Sequence, residues 1–136
     1  MKKMIPKFRA WDKRENTMRD VAVLHFTKGG KVNSIEYWKT PSELKSYHVR
    51  NLVLMQSTGL KDKNGVESWE GNYLIKEGCW PFFIKRIENK GCLMAVPVNS
   101  VQKTNWKPVS VKELLEMDYA NDGNIYENPE LLEESE

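Results

Sequence analysis

At 136 residues the chain has the length of one domain and can bury its own core without disulfide staples. Hydrophobic residues at 40% and charged residues at 29% exclude a disordered chain, and five Trp with four Phe supply large apolar surfaces for an interior. The net charge of +2 conceals an asymmetry: residues 118–136 hold seven acids and no Lys or Arg, which leaves all 21 basic residues and 12 acids in residues 1–117, a division that points to an anionic partner or to a tail that screens the body.

The start, Met1-Lys2-Lys3-Met4-Ile5-Pro6-Lys7, lacks the apolar run of a signal peptide. No stretch approaches the roughly 20 apolar residues that a membrane span needs. With only Cys79 and Cys92 there is no disulfide framework, so the expectation is a reducing cytoplasm and two free thiols, both structural and buried.

Lys7-Phe8-Arg9-Ala10-Trp11 reads as a first strand ended by Asp12, and Val21–Phe26 as a second. Gly29-Gly30 makes a turn into a third strand, Val32–Trp38. Thr40-Pro41-Ser42-Glu43 has the residues of a capping box with proline at the first helical position, and predicts a short helix to Tyr47. Leu52–Gln56 is an apolar strand. Asn64-Gly65 predicts a two-residue hairpin turn with both central φ angles positive, leading into Val66–Glu70. Strands follow at 73–76, 80–87 and 92–98, with Glu88-Asn89-Lys90-Gly91 as a turn. Ser110-Val111-Lys112-Glu113 opens a second helix, Gly123–Tyr126 a closing strand, and Asn128-Pro129-Glu130 a last helical turn with Leu131 and Leu132. Many short strands with frequent turn signals predict an antiparallel sheet or small barrel.

Three stretches, taken together, resemble the YopX-like family of phage and prophage proteins. They are Lys7-Phe8-Arg9-Ala10-Trp11-Asp12, the central run from Leu54 through Asn64-Gly65 to Glu70-Gly71-Asn72, and Gly123-Asn124-Ile125-Tyr126-Glu127-Asn128-Pro129-Glu130-Leu131-Leu132. The resemblance implies a mostly β, α+β fold: an SH3-like barrel with additional N-terminal strands and two or three short helices. The expected organisation is a single domain over residues 1–136, divisible into an N-terminal β lobe at 1–55 and a barrel with a helical tail at 56–132. It implies a gene carried by a phage or prophage, a bacterial cytoplasmic location, and no mechanism. The family usually carries Glu-Gly-Asp where this chain has Glu70-Gly71-Asn72, so a charge is absent here. Gly59, Gly65 and Gly71 have a sufficient explanation in bends of the chain.

Chemistry is sparse. His25, His48, Cys79 and Cys92 match no zinc spacing. Asp118, Asp122 and Gly123 imitate a calcium loop that lacks ligands at Ala120 and Pro129. Cys79 has no positioned base, Glu67 and Glu70 read as a solvated face, and Gly29-Gly30 lacks the rest of a phosphate loop. No catalytic, cofactor or metal residue is assigned, and no small-molecule substrate. The expectation is a non-enzymatic protein-interaction module, self-association included, whose acidic tail contacts a basic surface on a neighbour. The alternative is a nucleic-acid binder using Arg9, Trp11, Lys85 and Arg86, because Phe83-Ile84-Lys85-Arg86, Trp38-Lys39 and Trp106-Lys107 interleave cations with aromatics. Against that alternative, strand alternation would send the aromatics inward and the lysines outward.

Overall fold

The computed structural model describes residues 7–87, 92–98 and 108–130. They form ten strands, a 3-10 turn and one short helix, so the chain is mostly β with two antiparallel sheets. Its contacts divide into units of residues 1–56 and 57–136.

The first unit holds β1 (Phe8–Asp12), β2 (Thr17–Phe26), β3 (Val32–Thr40), β4 (Glu43–His48) and the start of β5 (Leu52–Lys61). Their lateral order is β4-β3-β2-β1-β5. Alternation on β3 sends Ile35 and Tyr37 inward, where they pack with Ala10 and Leu52 and with the partly buried Val21, Leu24 and Tyr47. Asp12, wholly buried, organises the β1–β2 turn. Its Oδ1 accepts from the backbone N–H groups of Arg14 (3.0 Å) and Glu15 (3.3 Å), while its Oδ2 meets Arg19 at 3.3 Å.

The helix expected at Thr40–Tyr47 is a strand. Pro41 and Ser42 form a tight turn, Thr40 pairs with Glu43, and β4 runs back along β3 through Trp38↔Leu44, Tyr37↔Lys45 and Glu36↔Ser46. Thr40 Oγ1 accepts from Ser42 N–H at 3.4 Å, which closes a turn instead of capping a helix. A helix of about two turns has little stability alone, whereas β4 gains a full ladder from β3. The 3-10 turn, Val49–Asn51, then leads into β5.

The second unit continues β5 and adds β6 (Glu67–Trp69), β7 (Asn72–Ile75), β8 (Phe82–Ile87), β9 (Cys92–Pro97), α1 (Val111–Glu116) and β10 (Ala120–Asn124). Ser57↔Trp69 and Lys61↔Glu67 pair β5 with β6. The other four strands form a sheet in the order β10-β7-β8-β9, ending on β10 and β9 without closing. Leu74, Ile84, Ala95, Val111, Leu114 and Tyr119 form this unit's core. The predicted Ser110 cap is present, its Oγ accepting from Glu113 N–H at 3.3 Å.

Several boundaries differ from expectation. The central hairpin turn takes a three-residue form: Gly65 N–H donates to Asp62 O and Asp62 N–H to Val66 O, both at 2.9 Å. Only Gly65 has positive φ, +80°, because Asp62 Oδ1 accepts from the N–H groups of Asn64 and Val66 and holds Asn64 in ordinary backbone space. The closing strand starts at Ala120 and stops at Asn124, where Asn124 Oδ1 accepts from Tyr126 and Glu127 N–H and turns the chain. Fewer helices are present than expected: α1 is the one α-helix bounded within the described residues, and the predicted last turn passes out of them after Glu130. The expected 88–91 turn, Trp106-Lys107, Leu131 and Leu132 also lie outside the described residues.

Candidate interaction site

On β3, Ser34, Glu36 and Trp38 alternate with the core-facing Ile35 and Tyr37. Cross-strand partners in a sheet share a face, so the register assembles an outer surface in rows. His25, Ser34 and His48 form one, Val23, Glu36 and Ser46 the next, and Trp38 with Leu44 a third. Trp38 is 45% exposed, Leu44 40% and Val23 38%. An aromatic and two aliphatic side chains therefore meet solvent together, and Phe26 is exposed at the hairpin end of β2. Lys39, Asp20, Thr40 and Pro41 surround Trp38 in a shallow depression. Polar contacts order the rest of the face: His25 Nε2 and Glu36 Oε2 are 2.7 Å apart, and His48 Nδ1 accepts from Arg50 N–H at 3.1 Å. The lateral order places β4 at the end of its sheet.

Charge separates along the same division as the contacts. Residues 1–56 carry 12 Lys and Arg against five Asp and Glu, while residues 57–136 carry nine against 14.

The predicted contact residues divide between the two units, Arg9 and Trp11 in the first and Lys85 and Arg86 in the second. Trp11 is 8% exposed, on a strand flanked by β2 and β5. A ring so buried offers little face for a base to stack on. Arg9 stands on the same strand, half-buried. Lys85 and Arg86 are exposed neighbours on β8, paired with Met94 and Leu93. Phe83, the aromatic of that run, is half-buried and pairs with Tyr73 across β7 and β8.

Cys79 and Cys92 are exposed, contrary to the buried thiols expected. Cys79 follows a tight turn at Glu77-Gly78, and Cys92 opens the edge strand β9, so neither is enclosed by strands. The described residues contain no group of three His, Cys, Asp or Glu side chains placed to hold a metal. No helix of the described residues is long and apolar enough to cross a membrane.

The motif residues meet one another in the second unit. Asp62 Oδ2 accepts from Asn121 N–H (2.9 Å) and Asn121 Nδ2 (3.1 Å), and Asn121 Oδ1 accepts from Asn72 Nδ2 (3.0 Å). Tyr73 O–H donates to Asn128 O at 3.1 Å, and Asn128 Oδ1 accepts from Asn124 N–H at 3.3 Å. Burial alone would raise the Asp62 pKa, yet its hydrogen bonds from Asn121, Val66 and Asn64 outweigh burial and lower it. These side chains tie each motif to residues flanking the other, and Ile125 N–H donating to Gly71 O at 2.9 Å joins the two directly. Glu67, expected on a solvated face, accepts instead from the Ser57 hydroxyl across β5 and β6.

The surface centred on Trp38 and Leu44 escaped sequence reasoning because the residues after Pro41 carry a helix signal. The cue present in the chain is a two-residue turn directly after a strand, followed by another segment of strand length.

A family model described as YopX protein matches residues 7–133. No curated protein matches the chain. The crystal structure of protein EF1440 from Enterococcus faecalis is similar, with a TM-score of 0.65 and 29% sequence identity over 96% of this chain and 99% of that one.

Proposed function

The chain belongs to the YopX protein family, and within it we propose that this protein is a non-enzymatic protein-interaction module of phage or prophage origin, working in the bacterial cytoplasm. The observation that carries this reading is the exposed Trp38–Leu44 pair on β3 and β4, at the end of a sheet. Tryptophan is one of the residues enriched at the energetic centres of protein interfaces, since its large surface leaves water at small entropic cost. A strand at a sheet edge adds backbone groups that a partner strand can pair. The second unit, with short antiparallel strands around one core, is the part read as SH3-like, following the resemblance.

The test is capture from host extract with the full chain as bait. Partners retained by the native chain and lost by Trp38→Ser/Leu44→Ser, with an unchanged far-ultraviolet spectrum, are the expected result. Identical recovery by both baits removes this surface from the reading. The second reading, nucleic-acid binding, rests on the basic excess of residues 1–56 together with exposed Lys85 and Arg86. Anisotropy titration with single- and double-stranded oligonucleotides at low and near-physiological salt separates the two, because phosphate contacts weaken steeply with salt.

A further inference from the structure

A second surface, independent of Trp38 and Leu44, lies in the second unit between the central hairpin and α1. It is a cleft of about 250 Å³. Leu60 and Leu115 form its apolar wall, each packed by part of its surface on the core. Lys61, Lys63 and Lys112 stand around it, all exposed. Three of the nine basic residues of an otherwise acidic unit thus converge on one opening.

Their counter-charge is small. Among the described residues none of the three lysines makes an ion pair. Asp62 lines the same cleft, but its carboxylate is committed to four N–H donors from Asn64, Val66 and Asn121. Glu116 is the other acid of the lining. Three ammonium groups around an apolar wall repel one another, and a ligand carrying several carboxylates beside aliphatic side chains relieves that repulsion while covering the leucines.

The chain contains a segment of that chemistry. Residues 130–136 read Glu-Leu-Leu-Glu-Glu-Ser-Glu, two leucines among four acids with no base. We propose that the cleft formed by Leu60, Leu115, Lys61, Lys63 and Lys112 binds residues 130–136 of a second copy of this chain. The contact joins two different surfaces, so it is heterologous. It depends on charge and weakens with salt.

Sedimentation equilibrium of the full chain over a wide concentration range, at low and at near-physiological salt, is the first arm. Association that tightens at low salt is expected. The second arm reverses charge on each side separately: Lys63→Glu/Lys112→Glu in the cleft, and Glu133→Lys/Glu134→Lys in the segment. Each variant alone should associate at least about tenfold more weakly than the native chain. An equimolar mixture should recover association, because the reversed cleft then faces the reversed segment. Trp38→Ser/Leu44→Ser should associate as the native chain does, which keeps this result separate from the interaction surface proposed above. A chain that stays monomeric at every concentration overturns the proposal. So does association indifferent to both reversals, or a mixture of folded variants that fails to recover it.

Discussion

Asp62 and Asn121 stand 59 positions apart, and the Asp62 carboxylate takes two hydrogen bonds from Asn121, one from its backbone and one from its side chain. The other Asp62 oxygen takes two from the hairpin it begins, so one buried carboxylate closes a local turn and fastens β10 to it. Hydrogen bonds to a charged acceptor are the stronger kind, and leaving their donors without it costs more than the bonds contribute net.

That arrangement sets a pH response. Hydrogen bonds hold the folded Asp62 pKa below its ordinary value of 3.8, so below that value the unfolded chain takes up the proton first. The Asp62 contribution is therefore fully present above about pH 4 and is lost as pH falls through the lower folded value. Asp62→Ala should cost about 2–4 kcal/mol at neutral pH. Urea denaturation from pH 6 down to 2 should show a shallower acid decline in Asp62→Asn than in the native chain. Equal acid slopes in the two would contradict this account.

Gly123 is held by a neighbour as well as by its backbone. Its φ is +78°, and a Cβ there would lie 2.3 Å from Asn128 Oδ1, the atom that accepts from Asn124 N–H. Gly30 has a similar φ, +92°, but a Cβ added there would meet nothing within 4 Å. Gly30→Ala should therefore cost about 1 kcal/mol, the left-handed backbone penalty alone. Gly123→Ala should cost about 2–4 kcal/mol, since strain and a displaced hydrogen bond add to that penalty. Thermal melts of the two variants should rank them in that order.

The Asp12–Arg19 pair differs from a surface ion pair in that its carboxylate is completely buried. Arg19 also stands over the Tyr37 ring at 4.8 Å and reaches Glu15 at 3.1 Å. Arg19 keeps Glu15 when Asp12 is removed, so Asp12→Ala loses chiefly the buried carboxylate's hydrogen bonds and should cost about 2–4 kcal/mol. A double-mutant cycle with Arg19→Ala should give a coupling above about 1 kcal/mol by denaturant titration. Additive losses would show that Asp12 acts through its turn N–H groups alone.

The strands at Phe8, Val32 and Leu52, the turn glycines and the Ser110 cap are legible in the sequence because each rests on residues adjacent in the chain. Alternation along β3 separates Ile35 and Tyr37 from Ser34, Glu36 and Trp38, and the fold makes the first set the inward one. Trp11 looks like a contact residue in the sequence because its burial depends on packing in the folded chain, which no local pattern encodes. The candidate surface is hidden for a related reason: Leu44 becomes a neighbour of Trp38 only once β4 pairs with β3.

Local chemistry in the chain is enough to establish a mostly β protein with its bends at Gly30, Gly65 and Gly71, since a positive φ depends on a residue's own Cβ. The three motifs are likewise enough to point to the family. Long-range pairing settles the rest. It turned the capped segment after Thr40 into an edge strand, because a ladder with β3 outweighs the propensity of a helix two turns long. It also brought Asp62, Asn72 and Asn121 into one hydrogen-bonded group, and it set Leu60 and Lys61 beside Lys112 and Leu115. Those contacts join residues about fifty positions apart, a distance at which sequence spacing carries no information about proximity.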